Sequence, residues 1–417
     1  MKYFLVGIKG TGMAALAHIL KDMGNCVVGS DIKDYVFTED ELLRKEIEIY
    51  PLEQYDISDV DVVISGHNFY PNSNEVKRAF NKGKIVYEYN QFLSKLIKEK
   101  YSIAICGSHG KTTSVGLLAT IMKRYNPSYL RGDGIGKWTN SKYFIFEACE
   151  YKNHYLAYEP DEIIILNIDY DHCDFFKTRE DYIDSFVRFS KHCKNRLYIH
   201  DSILEMNNIK ENIISNDKEL EIYTFGNKTN LKNQIFKYKK IEEQINFYSS
   251  QEELISNELG LIECALNNNV TINEIKENIK LFNGARKRKE EIILKDNLIV
   301  DDYAHHPKQI KVIIEEMILK YPNMRVVAIF KPDRYSRILK FHKEIKEALS
   351  KADEVYVIDF PENAINDTDK IFNATIIGYN VLSEDVIYNK IKDYKNTIYL
   401  LLSSKDMSYL KNKLKKY

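Results

Sequence analysis

Ser102-Ile103-Ala104-Ile105-Cys106-Gly107-Ser108-His109-Gly110-Lys111-Thr112-Thr113 is the stretch that decides the reading of this chain. An apolar run of strand length enters a glycine loop, and the apolar residues 115–122 beyond it have helical character. Strand, glycine loop and helix in that order make a phosphate cradle. Glycine lets the backbone approach an anion closely, while the N–H groups and partial positive charge of the helix start face it. Lys111 is placed to neutralise the outer phosphates of a nucleotide, and the Thr112 hydroxyl sits where a Mg²⁺ ligand is needed. The two glycines stand three apart, whereas the Walker pattern has four residues between them.

Upstream, residues 3–6 read as a strand, Gly7-Ile8-Lys9-Gly10-Thr11-Gly12 as a turn into a helix over 13–23, and 26–30 as a second strand ending at Asp31. This unit suits a nucleotide diphosphate at the turn with a carboxylate near a ribose; it also suits a tight turn that holds nothing. Further strands are expected at 61–65 and 84–87, with a helix at 75–81 between them. His67 lies just past the first, at a crevice where open α/β sheets bind ligands. Downstream, the strand 143–146 delivers Glu147-Ala148-Cys149-Glu150, and the strand 162–166 ends in Asn167-Ile168-Asp169-Tyr170-Asp171-His172. A carboxylate at a strand tip beside a phosphate loop suits Mg²⁺, which makes Glu147 the favoured ligand and Glu150 its support. Asp171 and His172 are candidates for a second metal position, and Asn167 offers an amide suited to a base edge. The polar stretch 207–250 carries no site signal; its clearest strand is 221–226.

Helices at 254–267 and 272–281 lead to Arg286-Lys287-Arg288-Lys289, either a solvated face or a surface that meets substrate anions. A strand at 297–300 then ends in Asp301-Asp302-Tyr303-Ala304-His305-His306-Pro307 before a helix over 308–319. The strand 325–330 leads to Lys331-Pro332-Asp333-Arg334-Tyr335-Ser336-Arg337, with arginines suited to face an anion. Strands at 354–358 and 397–402 complete the alternation.

A chain of 417 residues suits two or three domains. Its 60 Lys and Arg against 61 Asp and Glu give a formal charge of −1, which argues against nucleic acid as a partner. No apolar run is long enough to span a bilayer and no leader is evident, so no membrane insertion and a cytoplasmic location are expected. Six scattered cysteines without a Cys-x-x-Cys pair read as reduced thiols, and zinc is not expected.

Taken in order, the glycine turn 7–13, the loop 107–113, Phe146-Glu147-Ala148-Cys149-Glu150-Tyr151, Asn167-Ile168-Asp169-Tyr170-Asp171-His172, Asp301-Asp302-Tyr303-Ala304-His305-His306-Pro307 and Tyr335-Ser336-Arg337 resemble the motifs of the muramyl (Mur) ligase family. The resemblance implies an α/β fold of three domains: a Rossmann-like UDP-sugar domain over 1–98, a central P-loop ATPase domain over 99–289, and a Rossmann-like amino-acid domain over 290–417. It implies ATP and Mg²⁺ as cofactors, UDP-N-acetylmuramate and L-alanine as substrates, an acyl-phosphate intermediate, and a monomer or homodimer. By the same resemblance Gly7, Gly10, Thr11, Gly12, Asp31 and His67 meet the UDP-sugar. Gly107, Ser108, His109, Gly110, Lys111, Thr112, Thr113, Asn167 and Asp302 meet ATP. Thr112, Glu147 and His172 hold metal, and Lys111, His305, His306, Arg334 and Arg337 lie near the reacting groups.

Three features depart from the family pattern. Lys287-Arg288-Lys289 stands where relatives have paired arginines and an aromatic, Ser403-Ser404-Lys405-Asp406 replaces a Gly-Ala-Gly-Asp loop, and the chain is shorter than typical relatives. Two other readings follow: a similar ligase for a different amino acid or peptide, and a nucleotide-binding protein without ligase chemistry. An oxidoreductase, suggested by the N-terminal turn alone, leaves the second phosphate loop unexplained.

Overall fold

A computed structural model describes residues 1–206, 220–232, 235–249, 251–361, 364 and 372–416. The chain divides into two compact units, one of residues 1–169 and 183–283, the other of 170–182 and 284–417. Among the described residues, three of the four sheets are built mainly from parallel strands. Among the described residues no helix is long and apolar enough to cross a membrane.

The first unit begins with β1 (Lys2–Val6), β2 (Cys26–Asp31), β3 (Glu48–Pro51), β4 (Val62–Ser65) and β5 (Ile85–Glu88), parallel and ordered β3-β2-β1-β4-β5. β1 lies between β2 and β4, so the turn after Val6 opens at the point where the strand order reverses, the place where such sheets take ligands. Its second sheet contains β6 (Tyr101–Cys106), β7 (Ser128–Leu130), β8 (Gly136–Lys137), β9 (Tyr143–Glu147), β10 (Glu162–Ile165), β11 (Arg196–His200) and β12 (Glu221–Phe225), ordered β12-β11-β10-β6-β9-β7-β8. Here β6 holds the reversal point. Ile105 pairs with Glu147 on one side and Cys106 with Ile165 on the other. Register alone therefore sets Glu147 and the residues after β10 on either flank of the phosphate loop. A small antiparallel sheet of β13 (Leu231–Lys232), β14 (Ile235–Tyr238) and β15 (Ile241–Glu243) completes the unit.

In the second unit, β16 (Glu290–Ile293), β17 (Asn297–Asp302), β18 (Arg325–Phe330), β19 (Glu354–Val357) and β20 (Thr397–Leu402) run in the order β16-β17-β20-β18-β19, antiparallel only at β16. Alternate residues feed two cores: Val300, Ala328 and Leu400 one, Ile299, Val327, Tyr399 and Leu401 the other. Both faces are covered, so these strands read as unbroken apolar runs and not as alternating patterns. Leu402 pairs with Asp302 and with Phe330. The loops after β17, β18 and β20 consequently leave the sheet at one edge.

Two helix starts differ from expectation in an informative way. The helix after the phosphate loop is Lys111–Ile121, four residues earlier than its apolar signal, because its first turn is polar and starts from Gly110 at φ +82°. The first helix is Thr11–Asp22 and begins immediately at the glycine turn. Helices Tyr89–Lys98 and Arg179–Ser190 add to the expected elements; the first buries Phe92, Leu93, Leu96 and Ile97 at helical spacing. Of the stretch 207–250, residues 207–219, 233, 234 and 250 lie outside the described residues.

Candidate active site

The phosphate loop is held open by its own polar contacts. Gly107 and Gly110 take φ values of +142° and +82°, a region that L side chains rarely enter. A Cβ on Gly110 would also meet the Asn257 amide at 2.9 Å. The Asn167 side chain accepts from the His109 N–H at 2.8 Å and donates to the His109 carbonyl at 3.0 Å. Ser108 Oγ donates to the Asp169 carbonyl at 2.8 Å. Asn167 thus braces the loop backbone, with both ends of its amide bonded to His109.

Lys111 Nζ donates to Glu150 Oε2 at 2.8 Å and Oε1 at 3.1 Å, and to the Gly107 carbonyl at 2.5 Å. Burial works against the charged ammonium, but Glu150, then Cys149 and Glu147, outweigh it and hold its pKa above the ordinary value. Lys111 is therefore a fixed cation. Thr112 Oγ1 donates to Glu147 Oε2 at 2.8 Å, and the Glu147 carboxylate lies where a Cβ on Gly132 would stand. Hydroxyl and carboxylate side by side are a hard-oxygen pair suited to Mg²⁺. Among the described residues no three His, Cys, Asp or Glu gather into a metal site, and Mg²⁺ ordinarily completes its shell with phosphate and water. The residues present fit that ion bound together with a nucleotide.

At the N-terminal turn Asp31 is already engaged, its carboxylate accepting from the N–H groups of Lys9 at 2.6 Å and Ile32 at 2.8 Å. These bonds fix the carboxylate against the turn. His67 pairs through Nδ1 with Glu88, and its ring lies 4.2 Å from that of His154. Burial, then the neighbouring His67, pushes the His154 pKa down to about 4.

In the second unit Arg337 is clasped from two sides. It donates to Asp333 at 2.8 and 3.0 Å and to Asp171 at 3.3 to 3.4 Å. Burial opposes both carboxylates, yet Arg337 keeps Asp171 and Asp333 well below the usual carboxylate range. Arg334 donates to Asp174 at 2.7 Å. The two adjacent histidines are not equivalent. His306 caps the helix Pro307–Lys320, its Nδ1 accepting from the Lys308 N–H, whereas His305 Nδ1 faces the Tyr303 carbonyl at 2.9 Å. A carbonyl only accepts, so His305 carries its proton on Nδ1 and presents Nε2 as an acceptor. Burial and then Arg337 push its pKa down to about 3, and the ring is neutral at physiological pH.

Asp302 accepts from the backbone N–H groups of Ala304 and Lys289 at 2.7 and 2.8 Å; its carboxylate supports its own loop. The cation run is largely internal: Lys287 donates to the Lys405 carbonyl, Arg288 lies over the Tyr303 ring and Lys289 pairs with Glu316. The altered loop 403–406 is tied down by Ser404 Oγ to Asp333 at 2.8 Å and Ser403 Oγ to the Lys331 carbonyl at 2.8 Å.

The first unit thus gathers the loop 107–113, Glu147, Glu150 and Asn167 at one sheet edge and Gly7, Gly10, Thr11, Gly12, Asp31 and His67 at another. His172, at φ +53°, and the 300-series residues belong to the second unit. Sequence reasoning passed over Asn257, Asp333 and His154. Only Asp333 carried a signal, an acid four residues before Arg337 on the same helix approach.

Three family models match in succession: the Mur ligase family catalytic domain over residues 2–101, the Mur ligase middle domain over 105–272, and the Mur ligase glutamate ligase domain over 287–404. The fold is similar to that of a UDP-N-acetylmuramate-alanine ligase from Thermotoga maritima, with a TM-score of 0.80, 20% identity, and 99% of this chain and 98% of that chain covered. It is similar to a murein peptide ligase from Psychrobacter arcticus at a TM-score of 0.74, 20% identity and coverage of 100% and 99%. A MurF ligase from Thermotoga maritima, solved in complex with ADP, gives a TM-score of 0.59 at 16% identity with 94% of each chain covered.

Proposed function

Since the chain belongs to the Mur ligase family, its three matched regions following one another from residue 2 to residue 404, we propose that it is an ATP-dependent ligase of peptidoglycan biosynthesis that joins the carboxylate of UDP-N-acetylmuramate to L-alanine. In this reading residues 1–98 take the sugar nucleotide, 99–289 ATP and 290–417 the amino acid, and the reaction runs in the cytoplasm. The observation that supports it is that two glycine turns at helix starts, 7–12 and 107–113, lie in one compact unit. One nucleotide-binding turn would serve many enzymes; two serve a reaction between two nucleotides.

A carboxylate and an amine do not condense unaided in water. The muramyl carboxylate attacks the γ-phosphorus of ATP, the bond from that phosphorus to the bridging oxygen breaks and ADP leaves. The alanine amine then attacks the acyl carbon, phosphate departs with the electron pair, and one amine proton goes to solvent or to an acceptor. Phosphoryl transfer of this kind depends on position and charge neutralisation. Lys111 supplies a cation that needs no proton gain, and the loop N–H groups orient the phosphates. Thr112 and Glu147 would hold Mg²⁺, which, when bound, neutralises phosphate charge. His305, neutral and with Nε2 as an acceptor, is the histidine suited to accept a hydrogen bond from the amine, whereas His306 caps a helix through Nδ1. Arg337, neutralised on two sides, acts by holding Asp171 and Asp333.

A different acceptor is the second reading. Lys405 in the 403–406 loop adds a half-buried cation near Asp333 and Arg334, a feature suited to an amino acid or peptide with an additional carboxylate. The deciding experiment measures phosphate release from ATP and Mg²⁺ with UDP-N-acetylmuramate and each amino acid separately. Release that requires both the sugar nucleotide and L-alanine supports the first reading. Release with an acidic amino acid in place of alanine moves the assignment to the second, and ATP binding without release under any pairing refutes both.

A further inference from the structure

Tyr89 opens the helix Tyr89–Lys98 directly after β5. Its side chain crosses to the start of the helix Thr11–Asp22: a Cβ on Gly12 would meet the Tyr89 hydroxyl at 2.8 Å and its ring carbon Cζ at 2.9 Å. The third glycine of the turn is thereby explained. Gly12 does not need a positive φ; it needs to leave room for a phenol. On the same side, Cys149 and Glu147 act electrostatically on this hydroxyl, and burial, then these two groups, raise its pKa. The phenol stays protonated and is a donor throughout the working pH range. No hydrogen-bond partner for that hydroxyl occurs among the described residues. A half-buried phenol donor set against Gly12, in the first turn of the helix Thr11–Asp22, is suited to meet an anion held by the glycine turn.

We propose that Tyr89 is a substrate-binding residue whose hydroxyl donates a hydrogen bond to the β-phosphate of the sugar nucleotide, at the junction of the glycine turn 7–12 and the Glu147 side of the ATP site. The assignment rests on the ligase reading above. The turn's N–H groups hold the diphosphate from the helix end. Tyr89 adds a neutral donor on the flank that faces Glu147, where a second carboxylate would repel the phosphate and a lysine would pair with Glu147 instead.

Tyr89→Phe retains the ring against Gly12 and removes only the hydroxyl. Calorimetric binding of UDP-N-acetylmuramate, UDP and UMP to the full chain reads the consequence. A hydrogen bond to a charged acceptor corresponds to a loss of roughly tenfold or more in affinity. The expected result is that loss for UDP-N-acetylmuramate and UDP, UMP affinity within about twofold of wild type, and an unchanged KM for ATP. Gly12→Ala, which displaces the phenol, should produce a similar loss that is not additive with Tyr89→Phe. Equal losses for UDP and UMP, or no loss for either while the wild type binds UDP-N-acetylmuramate, would overturn the role of Tyr89. Failure of the wild type to bind UDP-N-acetylmuramate would refute the ligase reading on which it rests.

Discussion

Glu150→Gln keeps the volume of a side chain only 1% exposed and removes the charge that Lys111 is set against. The Lys111 ammonium, itself with a side chain 12% exposed, is then left with the Gly107 carbonyl and whatever field Glu147 supplies. Breaking a buried pair from one side costs about 3–5 kcal/mol, and because glutamine still accepts one hydrogen bond the expected loss is near the lower end, about 3 kcal/mol. The pH dependence supplies an independent signature. In the wild type the folded pKa of Lys111 is raised, so its contribution is fully present below the unfolded value of about 10.4 and is lost only as pH rises through the folded value. Stability from this pair is therefore flat between pH 6 and 9. In the variant burial dominates and the folded pKa drops below the unfolded one. The unfolded chain then binds more protons between the two values, and stability rises with pH across that interval. Urea unfolding of both proteins from pH 6 to 9, with and without saturating ADP and Mg²⁺, tests this. Bound phosphates restore an anion to Lys111, so ADP should stabilise the variant more than the wild type. A variant as stable as the wild type, flat in pH and no more responsive to ADP, would refute the claim that Glu150 holds the phosphate-loop cation.

Thr112→Val removes the hydroxyl beside Glu147 without changing shape; ATP turnover should fall by at least about tenfold, the apparent Mg²⁺ requirement should rise, and Mg²⁺ titration of activity measures both. Asp171 and Asp333 have depressed pKa values, so the stability they contribute is present above the unfolded carboxylate value near 3.9 and is lost as pH falls through the folded values. Asp333→Asn should destabilise the second unit at neutral pH, by about 3 kcal/mol, and flatten this acid limb, as read by unfolding monitored at pH 2 to 7. His306→Ala should act chiefly on stability, by about 1 kcal/mol as a lost helix cap, whereas His305→Ala should lower turnover with little effect on the thermal midpoint; parallel melting and steady-state assays separate them.

Much of the fold was legible because the strands are buried on both faces and end in polar residues. The run 162–166 and the run 397–402 announce themselves as continuous apolar segments, and their tips announce Asn167 and the 403–406 loop. The phosphate loop was legible from glycines that the backbone requires at Gly107 and Gly110. What the sequence concealed is where a polar side chain is already engaged. Asn167, Asp31 and Asp302 look like ligand contacts in one dimension, yet each satisfies backbone N–H groups of its own or a neighbouring loop, a demand that arises only when the strands are assembled. The cations at 287–289 read as a charged face, but the strand Asn297–Asp302 and the Ser403–Asp406 region turn Lys287 inward. Tyr89 and His154 gave no signal because an aromatic after a strand is as readily core as site; only the register between β1, β4 and β5 brings Tyr89 to Gly12.

In the proposed reaction the carboxylate of the sugar nucleotide is activated by phosphoryl transfer within the cradle formed by Lys111, Thr112 and Glu147. UDP-N-acetylmuramate labelled with ¹⁸O in its lactyl carboxylate, incubated with the protein, ATP, Mg²⁺ and L-alanine, tests it most directly by mass spectrometry of the products. Each inorganic phosphate released should carry one ¹⁸O and the new amide the other. Unlabelled phosphate accompanying amide formation would rule out activation of the carboxylate by phosphoryl transfer.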